Sequence, residues 1–130
     1  MAKTPVKIEI DDYKEREVMM VTYSFERPTD VEGQMAGIPR GGKLIVKVKA
    51  LNDGTPDLLD WMVQRNLAKN GKISFTETKT GKDMKAIEFE GGYCVNFEEK
   101  WEEGVGHMEE ITISCQKIKF GNVEFENAWA

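Results

Sequence analysis

The chain has 130 residues, enough for one domain with a buried core and too few for two. Acidic side chains outnumber basic ones 23 to 18, for a net charge of −5, and the two signs are interleaved, as in Lys47 and Lys49 against Glu98 and Glu99. With no basic block, the composition argues against nucleic acid and anionic membrane surfaces as partners, and no stretch approaches the roughly twenty apolar residues of a spanning helix.

From the N-terminus, Met1 to Pro5 lead directly into a strand-like run with no apolar segment or small-residue cleavage site. No cleaved signal peptide is therefore expected, and the chain is expected to fold in the cytoplasm. Val6, Ile8 and Ile10 alternate with Lys7 and Glu9, the period of a strand with one buried face. After a turn at Asp11-Asp12, a second run places Met19, Val21, Tyr23 and Phe25 on one face. Leu44, Val46 and Val48 form a third run against Lys43, Lys47 and Lys49. Ile73 and Phe75 mark a fourth, Ile87 and Phe89 a fifth, Tyr93, Val95 and Phe97 a sixth, and Ile111, Ile113 and Cys115 a seventh. Beyond Cys115 the apolar phase slips to Ile118 and Phe120, which predicts a β-bulge near Gln116-Lys117. Gly91-Gly92 and Gly121-Asn122 read as two-residue hairpin turns, and Thr80-Gly81 as part of a longer one.

One segment breaks this rhythm. Asn52-Asp53-Gly54 reads as a turn, Thr55 as an N-cap and Pro56 as the first helical residue, with Asp57 and Asp60 favourably placed near the helix N-terminus. Leu58, Leu59, Met62 and Val63 supply an apolar stripe with Trp61 beside it, and Asn70-Gly71 an exit, so a helix is expected over about 56–68. The fold class that follows is mainly β: seven or eight short strands joined by tight turns point to a barrel or a sandwich with one α-helix, and residues 1–130 are expected to form a single domain.

The longest irregular stretch, about 26–42, holds two prolines, four glycines and the apolar Val31, Met35 and Ile38. A loop of that length in a compact domain is usually functional, and apolar groups on it suggest a partner surface. Gly37 to Lys43 matches a phosphate-binding loop except that Leu44 stands where a magnesium-binding hydroxyl belongs. A strand-like run follows where a helix is required, so nucleotide binding is not expected. His107, the sole histidine, lies in Gly-Val-Gly-His and reads as an exposed loop residue. Glu98, Glu99, Glu102, Glu103, Glu109 and Glu110 read as a solvated hairpin tip, without the ligand spacing of a calcium loop. Tyr23, Phe75 and Tyr93 share the phase of the core. Cys94 and Cys115 are too few for a disulfide framework and are expected to be reduced thiols, partly buried, with a cross-strand disulfide as the alternative. No catalytic, cofactor or metal residues emerge.

The order and spacing of several segments resemble the haemolysin-coregulated protein (Hcp, TssD) family. These are the loop ending in Arg40-Gly41-Gly42, the lysine-bearing strand after it, the helix with Leu59-Asp60-Trp61-Met62, Gly92 to Val95, Glu110 to Ser114, and Gln116 to Trp129. The ending is similar to that of the family's compact, divergent branch. The resemblance implies an antiparallel β-barrel of about seven to eight strands with one flanking α-helix, a structural subunit, not an enzyme, that forms hexameric rings stacked into the inner tube of the type VI secretion apparatus. It also implies expulsion by sheath contraction, with effectors in the lumen or at the tip. It implies as partners further copies of the chain, sheath, spike and baseplate components and effectors, with no nucleic acid, cofactor or membrane insertion, and secretion through the apparatus without a cleaved signal peptide. In the family the long loop contacts a neighbouring ring or subunit; its match here is Thr29, Asp30, Val31, Glu32, Gly33, Gln34, Met35, Ala36, Gly37, Ile38, Pro39, Arg40, Gly41 and Gly42. Trp129 is expected to pack within its own subunit. The alternative is a β-barrel holding a small ligand, which requires a polar interior cavity that the bulky inward residues do not suggest.

Overall fold

The computed structural model describes residues 6–25, 27, 29–34, 41–50, 54–64, 66–76 and 83–127. Its elements in chain order are β1 (Val6–Ile10), β2 (Arg16–Tyr23), β3 (Lys43–Lys49), α1 (Asp57–Val63), β4 (Lys69–Thr76), β5 (Asp83–Glu102), β6 (Gly106–Phe120) and β7 (Val123–Glu126). The sheet order is β3-β2-β1-β4-β5-β6-β7, and β3 also pairs with β6, so six antiparallel strands close into a barrel and β7 adds to the edge of β6. Lys43–Lys49 of β3 takes Met108–Ser114 of β6, whereas β7 takes Lys117–Phe120, so one long strand serves two neighbours on the same edge.

Alternation supplies the interior. Ile8, Leu44, Val46, Val48, Ile73, Ile87, Phe89, Ile111, Ile113 and Ile118 are all buried and fill the barrel. Each such side chain contributes roughly 1.5–3 kcal/mol relative to exposure, so this stack is the main source of stability.

Several expectations are corrected. Gly91-Gly92 is no turn: the fifth and sixth apolar runs are one strand, β5. Gly91 sits at φ +61°, and a side chain at Gly92 would strike Ile113 and Phe89 within 3 Å, so these glycines let a crowded strand change face and not reverse. Nor does β6 carry an extra residue at Gln116-Lys117. Glu90↔Lys117 and Gly92↔Cys115 keep register, so both strands switch faces together opposite Gly91. Register shifts occur elsewhere. Between Val18 and Met20 of β2 the shift puts Val18 inside and Met19 outside; between Cys94 and Asn96 of β5 it buries Cys94 and exposes Val95. Gly121-Asn122 does form a two-residue turn, closed by the Phe120↔Val123 pair with Gly121 at φ +63°.

The helix is shorter than expected and starts one residue later. Pro56 occupies the N-cap, with no side-chain cap bond from it, and Gln64 is extended. Asn70-Gly71 lies within β4, where a Cβ on Gly71 would meet Phe89 and the carbonyl of Glu9; the glycine permits close strand approach. Trp61 is not beside the stripe but at its centre. It is buried, donates Nε1–H to Leu67 O at 2.9 Å and meets Tyr13 edge-on at 6.3 Å. Anchoring by Trp61 turns Leu58 and Met62 inward and leaves Leu59 and Val63 exposed. The expected turns at Asn52-Asp53 and Thr80-Gly81, and the packing of Trp129, lie outside the described residues.

Candidate assembly surface

The barrel interior is occupied by its own apolar side chains, which leaves the outer faces as candidate contact surfaces. The long loop is built in two described parts. At its outer part Asp30 organises a tight turn: its Oδ1 accepts from the backbone N–H of Glu32 and of Gln34, both at 2.9 Å, while Asp30 N–H donates to Gln34 O at 2.7 Å. Gly33, at φ +85°, completes the reversal. This turn holds Val31 with a relative exposure of 103%, an apolar side chain displayed by a hydrogen-bonded frame.

At the base of the loop the chain is clamped to the end of the barrel. Gly42 O accepts from Cys115 N–H at 2.7 Å, and Asn127 Nδ2 donates to Cys115 O at 2.8 Å and Gly41 O at 3.3 Å. Gly42 lies at φ +91°, with the space of a Cβ taken by Asn127; the space beside Gly41 is taken by the ring of Phe25. Phe25 in turn meets Phe125 at 4.8 Å and Phe120 at 5.9 Å, and Tyr23 stacks on Phe120 at 4.7 Å. Of the expected site residues, Thr29 to Gln34, Gly41 and Gly42 are thus placed on this loop; Met35, Ala36, Gly37, Ile38, Pro39 and Arg40 lie outside the described residues. Strand β3 begins immediately after Gly42, so no helix N-terminus is available for phosphate there.

The opposite end has a different construction. Beyond Lys100↔Met108, β5 and β6 pair only with each other and form a hairpin that carries Trp101, 68% exposed, and Val105. His107 lies on β6 within that hairpin, exposed, its Nε2 2.7 Å from Glu99 Oε1. Glu109, expected in the solvated tip, is buried instead. Arg16, only 2% exposed, donates to Glu109 Oε1 at 2.9 Å, to Lys49 O at 3.3 Å and, in a close contact, to Asp57 Oδ1. Asp57 also accepts from Leu58 N–H, so one guanidinium ties α1, β3 and the hairpin base to β2. Sequence reading missed this cluster, since no periodicity marks an arginine at a core position. Its only trace is that Arg16 and Val18 share an alternating phase.

Burial pushes the Cys115 thiol up to about 12 and the Cys94 thiol up to about 11, so both are protonated, apolar fillers rather than nucleophiles. Burial, then the charges of Asp60 and Asp57, raises Tyr13 to about 12.

The fold is thus a small closed barrel with a filled interior, a clamped loop at one end and a projecting hairpin at the other. The chain belongs to the haemolysin-coregulated protein family, Hcp (TssD), whose sequence model matches residues 2–130; this is the family of type VI secretion tube proteins. Among solved structures, Hcp1 from Flavobacterium johnsoniae is 26% identical with a TM-score of 0.86, over 95% of this chain and 99% of that one. Hcp1 from the E. coli EAEC 042 pathovar is 15% identical with a TM-score of 0.78, over 98% and 100%. Secreted protein Hcp3 from Pseudomonas aeruginosa is 11% identical with a TM-score of 0.64, over 98% and 99%. The latter two show a shared fold. Nothing among curated proteins matches.

Proposed function

We propose that the chain, as one domain, is a structural subunit of the type VI secretion inner tube that closes into hexameric rings, and that these rings stack into a hollow tube. Sheath contraction expels the tube, with effectors in its lumen or at its tip. The observation that carries this reading is the family match along residues 2–130, joined to a barrel whose interior is already filled by its own side chains. A ring uses two different patches of each subunit head to tail, and the side walls of the barrel expose Met19 and Met20 on β2 and Val95 on β5. The loop from Thr29 to Gly42 is the axial contact, with Val31 at its exposed turn.

The role is mechanical, not catalytic, and the partners are further copies of the chain, sheath, spike and baseplate components, and effectors. Assembly takes place in the cytoplasm and export through the apparatus, without a cleaved signal peptide; no helix of the described residues is long and apolar enough to cross a membrane. Negative-stain imaging of the purified protein tests the reading. Six-fold rings with a central hole are expected, and their absence at every protein concentration removes it.

A further inference from the structure

Among the described residues, three buried side-chain polar atoms have no hydrogen-bond partner in the fold: Arg16 Nε, Asp57 Oδ2 and Tyr13 Oη. They belong to one junction, where the β1–β2 connection, the first residue of β2 and the first residue of α1 meet. Arg16 and Asp57 touch directly, Arg16 Nη2 donating to Asp57 Oδ1. Tyr13 meets the same face of α1, because its ring lies edge-on to Trp61 at 6.3 Å and Trp61 stands one turn along from Asp57. Burying such atoms without partners costs the full loss of their hydration, so each calls for a physical cause.

The junction does not close on itself. Asp57 Oδ1 also accepts from Leu58 N–H at 2.8 Å, which pins the carboxylate on the helix. Arg16 Nη1 is held at its other end by Glu109 Oε1 at 2.9 Å and Lys49 O at 3.3 Å. Turning either plane to bring Nε onto Oδ2 pulls against these bonds. The groups left over are mixed: Nε donates, Oδ2 accepts and a tyrosine hydroxyl does either. Burial first, and then the charges of Asp60 and Asp57, push that hydroxyl up to about 12, so it keeps its proton. The buried charges balance, Arg16 and Lys69 against Asp57 and Glu109, so the group that satisfies these atoms carries no charge. A metal ion fits poorly as well, with a single free carboxylate oxygen to bind it and a guanidinium beside that oxygen. A neutral molecule that both donates and accepts, and is small enough for a packed junction, is water.

We propose that one internal water molecule binds under α1, accepting from Arg16 Nε and donating to Asp57 Oδ2, with Tyr13 Oη as its third partner. It joins the β1–β2 connection, β2 and the helix through one hydrogen-bonded centre. The inference goes beyond the tube reading and does not depend on it, since the site lies within a single chain.

A crystal structure of the intact protein at atomic resolution tests it. A density peak is expected about 2.7–3.2 Å from Arg16 Nε and Asp57 Oδ2 and within the same reach of Tyr13 Oη. Nε bonded directly to Oδ2, Tyr13 Oη bonded directly to a protein acceptor, or no peak touching all three atoms would each overturn the proposal. So would a peak with the many-oxygen coordination of a cation. Magnetic relaxation dispersion of the solvent reads the same water in solution. Its amplitude is expected to fall by about one long-lived water per chain in the triple variant Arg16→Met, Asp57→Leu, Glu109→Leu, whose apolar side chains offer no partner. Tyr13→Phe, which removes one partner and keeps the ring against Trp61, is expected to shorten the residence time about tenfold, the worth of one hydrogen bond. An amplitude unchanged in the triple variant, or a residence time indifferent to Tyr13→Phe, contradicts the assignment.

Discussion

Gly42 shows how one position is fixed by contacts distant in sequence. Its φ of +91° and the Asn127 amide standing 2.3 Å from a would-be Cβ mean that Gly42→Ala has to strain the backbone and displace the clamp. A loss of about 1–3 kcal/mol is expected in urea unfolding, and a change below about 0.5 kcal/mol would contradict the clamp. Gly41-Gly42 was conspicuous in the sequence, but its cause was not, because Asn127 and Phe25 approach it only in the folded chain. The two thiols make a second case. In the unfolded chain they ionise near the ordinary value of 9.0, whereas the fold holds them neutral to about 11 and 12. Between those values the unfolded state binds fewer protons, so their contribution is complete below pH 9 and declines as pH rises toward 11–12. Urea midpoints are therefore expected to fall above pH 9, less steeply in Cys115→Ala; equal slopes would contradict the assignment. At pH 8 both thiols of the native protein should resist Ellman's reagent until denaturant is added.

Elements were legible where one face is buried throughout. β1 and β3 follow simple alternation, and Ile8, Ile10, Leu44, Val46 and Val48 are all inside as the pattern requires. Alternation misleads where a strand changes face midway. In β5 and β6 the glycine pair and the phase slip looked like a turn and a bulge, yet they are two halves of one matched switch that only strand pairing reveals. The helix was legible in type but not in length, because Trp61 and the buried Asp57, not the end signals, decide how it lies on the barrel. Arg16 is the element-scale test. Arg16→Met leaves Asp57 and Glu109 buried without their cation, and about 3–5 kcal/mol of destabilisation is expected in chemical denaturation. The triple variant Arg16→Met, Asp57→Leu, Glu109→Leu should recover most of that loss, since no uncompensated charge remains. A single variant as stable as the parent would show that the cluster does not fasten α1.

For the whole molecule, strand content and tight turns were enough to read a mainly β barrel or sandwich, whereas closure was not readable from them. It depends on β3 meeting β6 across 59 to 71 positions of sequence, from Lys49↔Met108 to Lys43↔Ser114, and alternation carries no information about which strands pair. The candidate contact residues differ in how far the sequence exposes them. Apolar residues on a long loop pointed to Val31, but Trp101 and Val105 lay in a segment whose acidic residues suggested only solvation. The barrel is closed and filled by its own side chains, and the proposed function gives its outer faces a task in self-assembly. The most direct test of that claim is the solution mass by multi-angle light scattering across a wide range of protein concentration. The account predicts a species about six times the 14.8 kDa chain mass. A 14.8 kDa monomer at every concentration would contradict it.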